Sequence, residues 1–340
     1  MKKKEKDDHF ATRIPVVLQI HETMLADGLR NKLLYEAIQK SVNENTSFLD
    51  IGAGTGVWAI LAAKLGAKRV VAVEVEESLI PVIFKLAQEN GVADKIQIIH
   101  GNSNHVKIRG KFDVIVSELF STDTFGKETV ASFVDLKKRF LAPNGILIPH
   151  KLALYAVPAY VEKPIQEFPA DLPIKCEFLR SLKLNYSQQI LMPERSGTRF
   201  LAEPKKLLEI DFQTLETAPS LSNLNSSWDM EDLSEANAIV IFNRSTFTED
   251  IEMDSFGSQS WRVGTYAFVP FEKNSGVLKF VLTLDQKKEN WTVSLSSDGS
   301  VISQSYSPIF AFTRMRMAQQ MTPHKKFSEP KTKAKKKLLR

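Results

Sequence analysis

Cysteine is almost absent from this chain: Cys176 is the only one in 340 residues. An internal disulfide is therefore excluded, and a thiolate zinc site would need ligands of other kinds. No metal is expected. The chain nowhere approaches the ~20 consecutive apolar residues that a membrane-crossing helix requires, so no membrane partner is expected. The opening Met1-Lys2-Lys3-Lys4 is not followed by an apolar run, and a signal peptide is not expected either. These absences point to a cytoplasmic chain.

Charge of one sign is scarce outside a single segment. The net charge is +5, yet Lys325 to Arg340 alone holds eight Lys/Arg against one acid, so the preceding 324 residues account for −2. Such a Lys-rich run stays solvated. It could serve as a nuclear address, a nucleic-acid contact or a docking arm, or only aid solubility. The near-neutral body argues against a wide surface that tracks phosphates.

What is present reads first as α/β. Short apolar strands are expected at Ser47–Ile51, Arg69–Glu74, Ile96–His100 and Phe112–Ser117, with helices at Val57–Leu65, Glu77–Asn90 and Lys127–Phe140. That alternation predicts a doubly wound, Rossmann-like, mostly parallel sheet over residues 13–150, behind a polar start at 1–12. After Pro149 the texture changes to short strands around Ile210, Ala238–Phe242, Thr265–Val269, Val277–Leu284 and Trp291–Leu295. This predicts a mainly β, barrel-like substrate domain over 151–318 and a basic tail over 319–340. A helix is expected at Leu179–Gln189, within an inserted arm at about 177–192.

The chemistry centres on Asp50-Ile51-Gly52-Ala53-Gly54-Thr55-Gly56, which follows a strand and opens a helix. Glu74 ends the next strand, 18 residues after Gly56. A carboxylate there can accept hydrogen bonds from both hydroxyls of a ribose. Dinucleotide sites place their third glycine one residue later, to accommodate a pyrophosphate. The Gly-x-Gly-x-Gly spacing, preceded by Asp50, instead resembles the first motif of class I methyltransferases, whose cofactor is S-adenosylmethionine and whose product is S-adenosylhomocysteine.

Three further stretches are similar to the protein arginine methyltransferase family. In His21-Glu22-Thr23-Met24-Leu25-Ala26-Asp27-Gly28-Leu29-Arg30, the resemblance implies that Arg30 grips the carboxylate of the cofactor's methionine moiety and that His21 lies over the same site. A guanidinium forks well onto a carboxylate. In Val116-Ser117-Glu118-Leu119-Phe120, it implies that Glu118 is the first of two glutamates that hold an arginine guanidinium. In Ser258-Gln259-Ser260-Trp261, it implies that Trp261 walls the acceptor pocket. The resemblance also implies that Asn104 falls at the adenine edge, where many relatives carry an acid. The family also implies a protein substrate and a head-to-tail homodimer formed through the inserted arm.

Two departures stand out. The family's second glutamate falls nine residues after the first, which here is Lys127, with Glu128 adjacent. The histidine before the tryptophan is replaced by Ser260, which leaves Asp27 without its usual partner. Three readings follow from the sequence: arginine methylation using Glu118 and Glu128, methyl transfer to another acceptor (a lysine, another nitrogen or a small molecule), and cofactor binding without turnover.

Overall fold

The computed structural model describes residues 15–119, 127–162, 174–175, 188–190, 197–219, 221–261, 263–271, 275–285, 290–297 and 300–306. A helix over 15–25 (α1) leads into α2 (Gly28–Ser41). The turn between them is set by Asp27, which caps α2 by accepting the Arg30 backbone N–H. Capping satisfies a donor that the first helical turn leaves free.

Alternation then gives β1 (Ser47–Ile51), α3 (Val57–Lys64), β2 (Arg69–Glu74), α4 (Ile80–Glu89), β3 (Ile96–His100), β4 (Phe112–Val116), α5 (Lys127–Phe140) and β5 (Leu141–Ile148). The strands are parallel, in the order β3-β2-β1-β4-β5. Their near-continuous apolar residues suit a sheet covered on both faces. Phe48, Leu49, Val71, Ala72, Ile115 and Val116 are all fully buried.

The order places a switch point between β1 and β4. The chain runs outward from β1 through β2 and β3, then returns to β4 on the other side. Ligands of such sheets sit beyond the carboxyl ends of the strands at that switch. β1 ends in the glycine-rich loop there, and β4 ends in Ser117-Glu118.

The remaining strands are antiparallel. One sheet runs β7 (Gln188–Ile190), β13 (Val263–Ala267), β11 (Ala238–Thr248), β6 (Lys151–Val161), β8 (Thr198–Phe200), with β12 (Ile251–Asp254) on β11 and β9 (Lys205–Asp211) on β6. The other runs β10 (Leu224–Met230), β14 (Gly276–Asp285), β15 (Asn290–Ser297), β16 (Ser300–Tyr306). Phe133 of α5 stacks on Phe212 with centroids 4.3 Å apart, so the helix shares a core with the antiparallel region.

One expected helix is corrected to a strand at its end. Gln188 and Gln189, read from the sequence as the end of a helix, lie in β7 and pair with Thr265 and Gly264 of β13. The pairing is long-range, and local composition carries no trace of it. The rest of that helix, 176–187, lies outside the described residues, as do the polar start and the basic tail. Among the described residues no helix is long and apolar enough to cross a membrane, and no cluster of metal-ligating side chains occurs.

Candidate functional site

The glycine-rich loop is shaped by what approaches it. Gly52 and Gly54 both have positive φ, 73° and 57°. A Cβ on Gly52 would stand 2.5 Å from Leu119 Cδ2, and one on Gly54 would stand 2.5 Å from His21 Cε1. Glycine is thus required twice over, by backbone conformation and by close approach. The loop is covered on one side by α1 and on the other by the segment after β4.

Two carboxylates hold the loop in different ways. Asp50 is buried beneath it, and its Oδ2 accepts the Ala59 N–H of α3 at 3.1 Å. Burial pushes its pKa up to about 7, with the Ala59 bond pulling downward and the Glu74 charge adding to the rise. Asp50 therefore staples the loop to α3. Glu74 accepts the Gly54 N–H at 2.7 Å through Oε2 and the Glu76 N–H at 2.8 Å through Oε1. Each oxygen keeps a lone pair for a hydroxyl donor.

The second half of the site is a ring of hydrogen bonds linking three distant parts of the chain. Asp27 Oδ2 accepts the Ser258 hydroxyl, the Gln259 N–H at 2.8 Å, the Ser260 N–H at 2.9 Å and the Ser260 hydroxyl at 2.8 Å. The Ser258 hydroxyl oxygen accepts the Trp261 N–H at 2.7 Å. The Trp261 indole donates to Glu118 Oε1 at 2.8 Å. Arg30 donates to Glu118 Oε2 through Nη2 and to Asn31 Oδ1 at 2.7 Å through Nη1. Arg30 then returns to Asp27 through its own backbone N–H.

Burial alone would raise the Asp27 pKa. The Ser258 and Ser260 hydroxyls and the Arg30 and Ser260 backbone bonds outweigh it, and the net shift is downward. Asp27 is thus an anion whose charge is spent on fixing the loop that carries Trp261. Replacing it by alanine is expected to leave those donors unpaired. Stability should fall by about 3 kcal/mol, the scale for a buried charged acceptor with several donors. Denaturant unfolding of Asp27→Ala beside Asp27→Asn checks this, since Asn retains one acceptor oxygen. Equal stability of all three proteins would contradict it.

His21, over the loop, has its pKa lowered chiefly by burial, with Arg30 adding to the fall and Glu74 opposing it. It is neutral near pH 7. Trp261 is buried, and its ring lies 6.2 Å from that of Phe247. Asn104 lies exposed in the loop after β3, its N–H donating to Asn102 Oδ1 at 2.9 Å.

The structure therefore brings His21, Asp27, Arg30, Gly52, Gly54, Glu118 and Trp261 together, with Glu74 beneath the loop. Lys127 and Glu128 open α5, but their side chains lie outside the described residues, as does 120–126. Sequence reasoning missed Ser258, whose hydroxyl holds both Asp27 and the Trp261 backbone. It also assigned Arg30 and Glu118 to separate ligands, whereas here they pair with each other.

The site can hold a nucleoside whose other end is an anion. Arg30 Nε is buried without a hydrogen-bond partner among the described residues, as is the Ser117 hydroxyl. An orphaned guanidinium N–H is a donor that a ligand carboxylate would satisfy. Glu74, acceptor-only, suits a diol.

Comparisons with known proteins bear on the fold and the relatives of the chain. The profile of the ribosomal protein L11 methyltransferase (PrmA) family matches residues 31–149. A probable protein arginine N-methyltransferase 6 from Arabidopsis thaliana is 33% identical over 141 residues, covering 41% of this chain and 32% of that protein. Protein arginine N-methyltransferase 6 from Danio rerio is 28% identical over 221 residues, covering 62% of each. The chain thus spans between about a third and three-fifths of the length of these relatives. Among solved structures, the Trypanosoma brucei PRMT1 enzyme–prozyme heterotetrameric complex with AdoHcy matches at a TM-score of 0.73 and 19% identity, over 84% of this chain and 97% of that one. The PRMT6–SAH crystal structure matches at 0.62 and 17%, over 83% and 100%. At these identities the structures establish the fold: a Rossmann-like parallel sheet followed by curled antiparallel sheets.

Proposed function

We propose that the chain is a member of the protein arginine N-methyltransferase family, as the relatives it matches are named, and that it transfers a methyl group from S-adenosylmethionine to a guanidinium nitrogen of arginine in a protein substrate. The observation that carries the reading is the position of Glu118. It stands at the switch point beside the glycine-rich loop, partly buried, with its carboxylate already holding a guanidinium, that of Arg30.

The cofactor's sulfonium, when bound, supplies an electrophilic methyl group. The protein's own residues bind and orient. Glu74 would take the ribose hydroxyls. Arg30 would take the methionine carboxylate, using the Nε–H that lacks a partner. Glu118, steadied by the Trp261 indole, would hold the acceptor guanidinium so that one nitrogen faces the methyl group. Alignment of the reacting atoms provides most of the rate enhancement in such a displacement. The methylated guanidinium sheds one proton. Ser260, in place of an imidazole, offers no base for it, so the proton passes to solvent by way of Glu118.

The second reading is a cofactor-binding chain without turnover. It is favoured by Lys127 where the family has its second glutamate and by Ser260 where it has histidine. Incubation with methyl-labelled S-adenosylmethionine and a mixed protein extract, followed by acid hydrolysis, separates the two. Labelled methylarginine is expected. Bound cofactor with no labelled residue would establish the second reading, and label on lysine would move the acceptor.

Assembly and address are proposed on narrower support. A homodimer through 177–192 accords with the family resemblance and with the heterotetrameric complex formed by the Trypanosoma brucei relative. A cytoplasmic location, a nuclear one directed by the Lys-rich tail, or a nucleic-acid contact through that tail rests on composition alone.

A further inference from the structure

We infer that Arg139, locked by Asp135, is a positioning residue for the adenosine half of the cofactor, an inference that rests on the reading of the site given above. The loop from Gly101 to Val106 follows β3 and carries Asn104. At one end the Gly101 N–H donates to the Glu74 carbonyl at 2.8 Å, which ties the loop to the carboxylate assigned to the ribose. Its middle is held from α5. Arg139 Nη2 donates to the Ser103 carbonyl at 2.5 Å, and Nη1 donates to the Val106 carbonyl at 3.0 Å. Those two carbonyls bracket Asn104 and His105.

The guanidinium is itself preset. Arg139 Nε donates to Asp135 Oδ1 at 2.9 Å and Oδ2 at 2.8 Å, and Nη2 also reaches Oδ2. Its centre lies 4.3 Å from the centroid of the Phe140 ring, a buried residue. Asp135 is one helical turn away, so the fork is built within α5 before any ligand arrives. A planar cation that fixes two carbonyls on one loop limits the loop to one shape, and a ligand that needs this shape pays less ordering entropy on binding. Arg139 bonds the loop through the Ser103 and Val106 carbonyls, so its action is through Asn104 and the neighbouring backbone.

Calorimetric titration of the full chain with two probes tests this. S-adenosylhomocysteine has both halves of the cofactor, and 5′-methylthioadenosine has the adenosine half without the carboxylate. Arg139→Met is expected to weaken both by the same factor, about tenfold, the scale of losing a charged hydrogen-bonding partner. Arg30→Met is expected to weaken S-adenosylhomocysteine alone. Asp135→Asn, which keeps Arg139 but loosens its clamp, should weaken both probes severalfold, and it serves where Arg139→Met does not fold. A general structural loss would lower the melting temperature without this matched pattern. Affinities within twofold of the unaltered chain for both probes, in whichever variants fold, would overturn the inference alone. Failure of the unaltered chain to bind either probe would overturn the cofactor reading and this inference with it.

Discussion

Glu118→Gln is expected to lower kcat/KM for methyl transfer by about a thousandfold and to leave cofactor affinity within a fewfold. Glutamine keeps an oxygen to accept the Trp261 indole, which lies 2.8 Å from Oε1 in the unaltered chain. On the other side it presents an amide N–H₂, so a donor faces the acceptor guanidinium where an anion stood. Loss of one preorganised electrostatic partner typically costs two to three orders of magnitude, about 3–4 kcal/mol of barrier. Cofactor affinity should be spared because Glu118 competes with the methionine carboxylate for Arg30. Removing the competitor frees Arg30 for the ligand. Initial rates with a saturating protein substrate, beside calorimetric titration with S-adenosylhomocysteine, measure both arms. An activity loss under tenfold would remove Glu118 from the acceptor site. A parallel loss of cofactor affinity would make it a structural partner of Arg30.

The pairing of Arg30 with Glu118 also bears on how the two ligands meet. The same guanidinium is assigned to the cofactor's carboxylate, and the same carboxylate to the acceptor's guanidinium. Each ligand therefore loosens the contact that opposes the other. The Trp261 indole bonds the other carboxylate oxygen, Oε1, so Glu118 keeps a partner when Arg30 turns to a ligand. The Ser258–Asp27 bonds keep Trp261 in place in turn. Serine at 260 preserves the anchoring of Asp27 through a 2.8 Å bond but not the proton chemistry of an imidazole.

Four of the five parallel strands were legible as short apolar runs, whereas β5 (Leu141–Ile148), which contains Pro143-Asn144-Gly145, was not among the expected strands. Ser47–Ile51 and Arg69–Glu74 coincide with the expected strands, and Lys127–Phe140 with the expected helix. The tight loop was legible for a related reason: the positive φ of Gly52, Gly54 and Gly56 follows from local backbone geometry, which a short motif encodes. The helix expected over Glu77–Asn90 is instead a 3-10 turn, Glu77–Leu79, followed by α4. Pro81 in its first turn fits that division. Strand β7 was not legible, because Gln188-Gln189-Ile190 becomes a strand only by pairing with residues 263–265. The Asp27–Ser258 bond spans 231 positions, and no spacing rule reaches that far. The acceptor half of the site was legible only in part, since Lys127 and Glu128 differ in meaning with the loop between β4 and α5.

Gly54→Val is expected to reduce cofactor affinity more than a hundredfold, and three glycines separate the causes. Valine at 54 meets two obstacles. Its φ of 57° lies in the left-handed region that β-branched residues avoid, at a cost of about 1–3 kcal/mol. Its Cβ would fall 2.5 Å from His21 Cε1, so α1 must lift off the loop. Both displace the Gly54 N–H from Glu74 Oε2, now 2.7 Å away, and so misplace the carboxylate assigned to the ribose. Gly66→Ala meets only the first obstacle, since φ is 89° with open space around it. It should lose about 1 kcal/mol of stability and keep its affinity. Gly28→Ala meets neither, having no neighbour within 4 Å and no positive φ. It should match the unaltered chain in both respects. Pairing Gly54→Val with His21→Ala removes the clash but not the strain, and only part of the affinity should return. Thermal melts and titration with S-adenosylhomocysteine read all four. Unchanged affinity in Gly54→Val would place the cofactor away from this loop, because no ligand seated over Gly54 and Glu74 could tolerate the displaced helix.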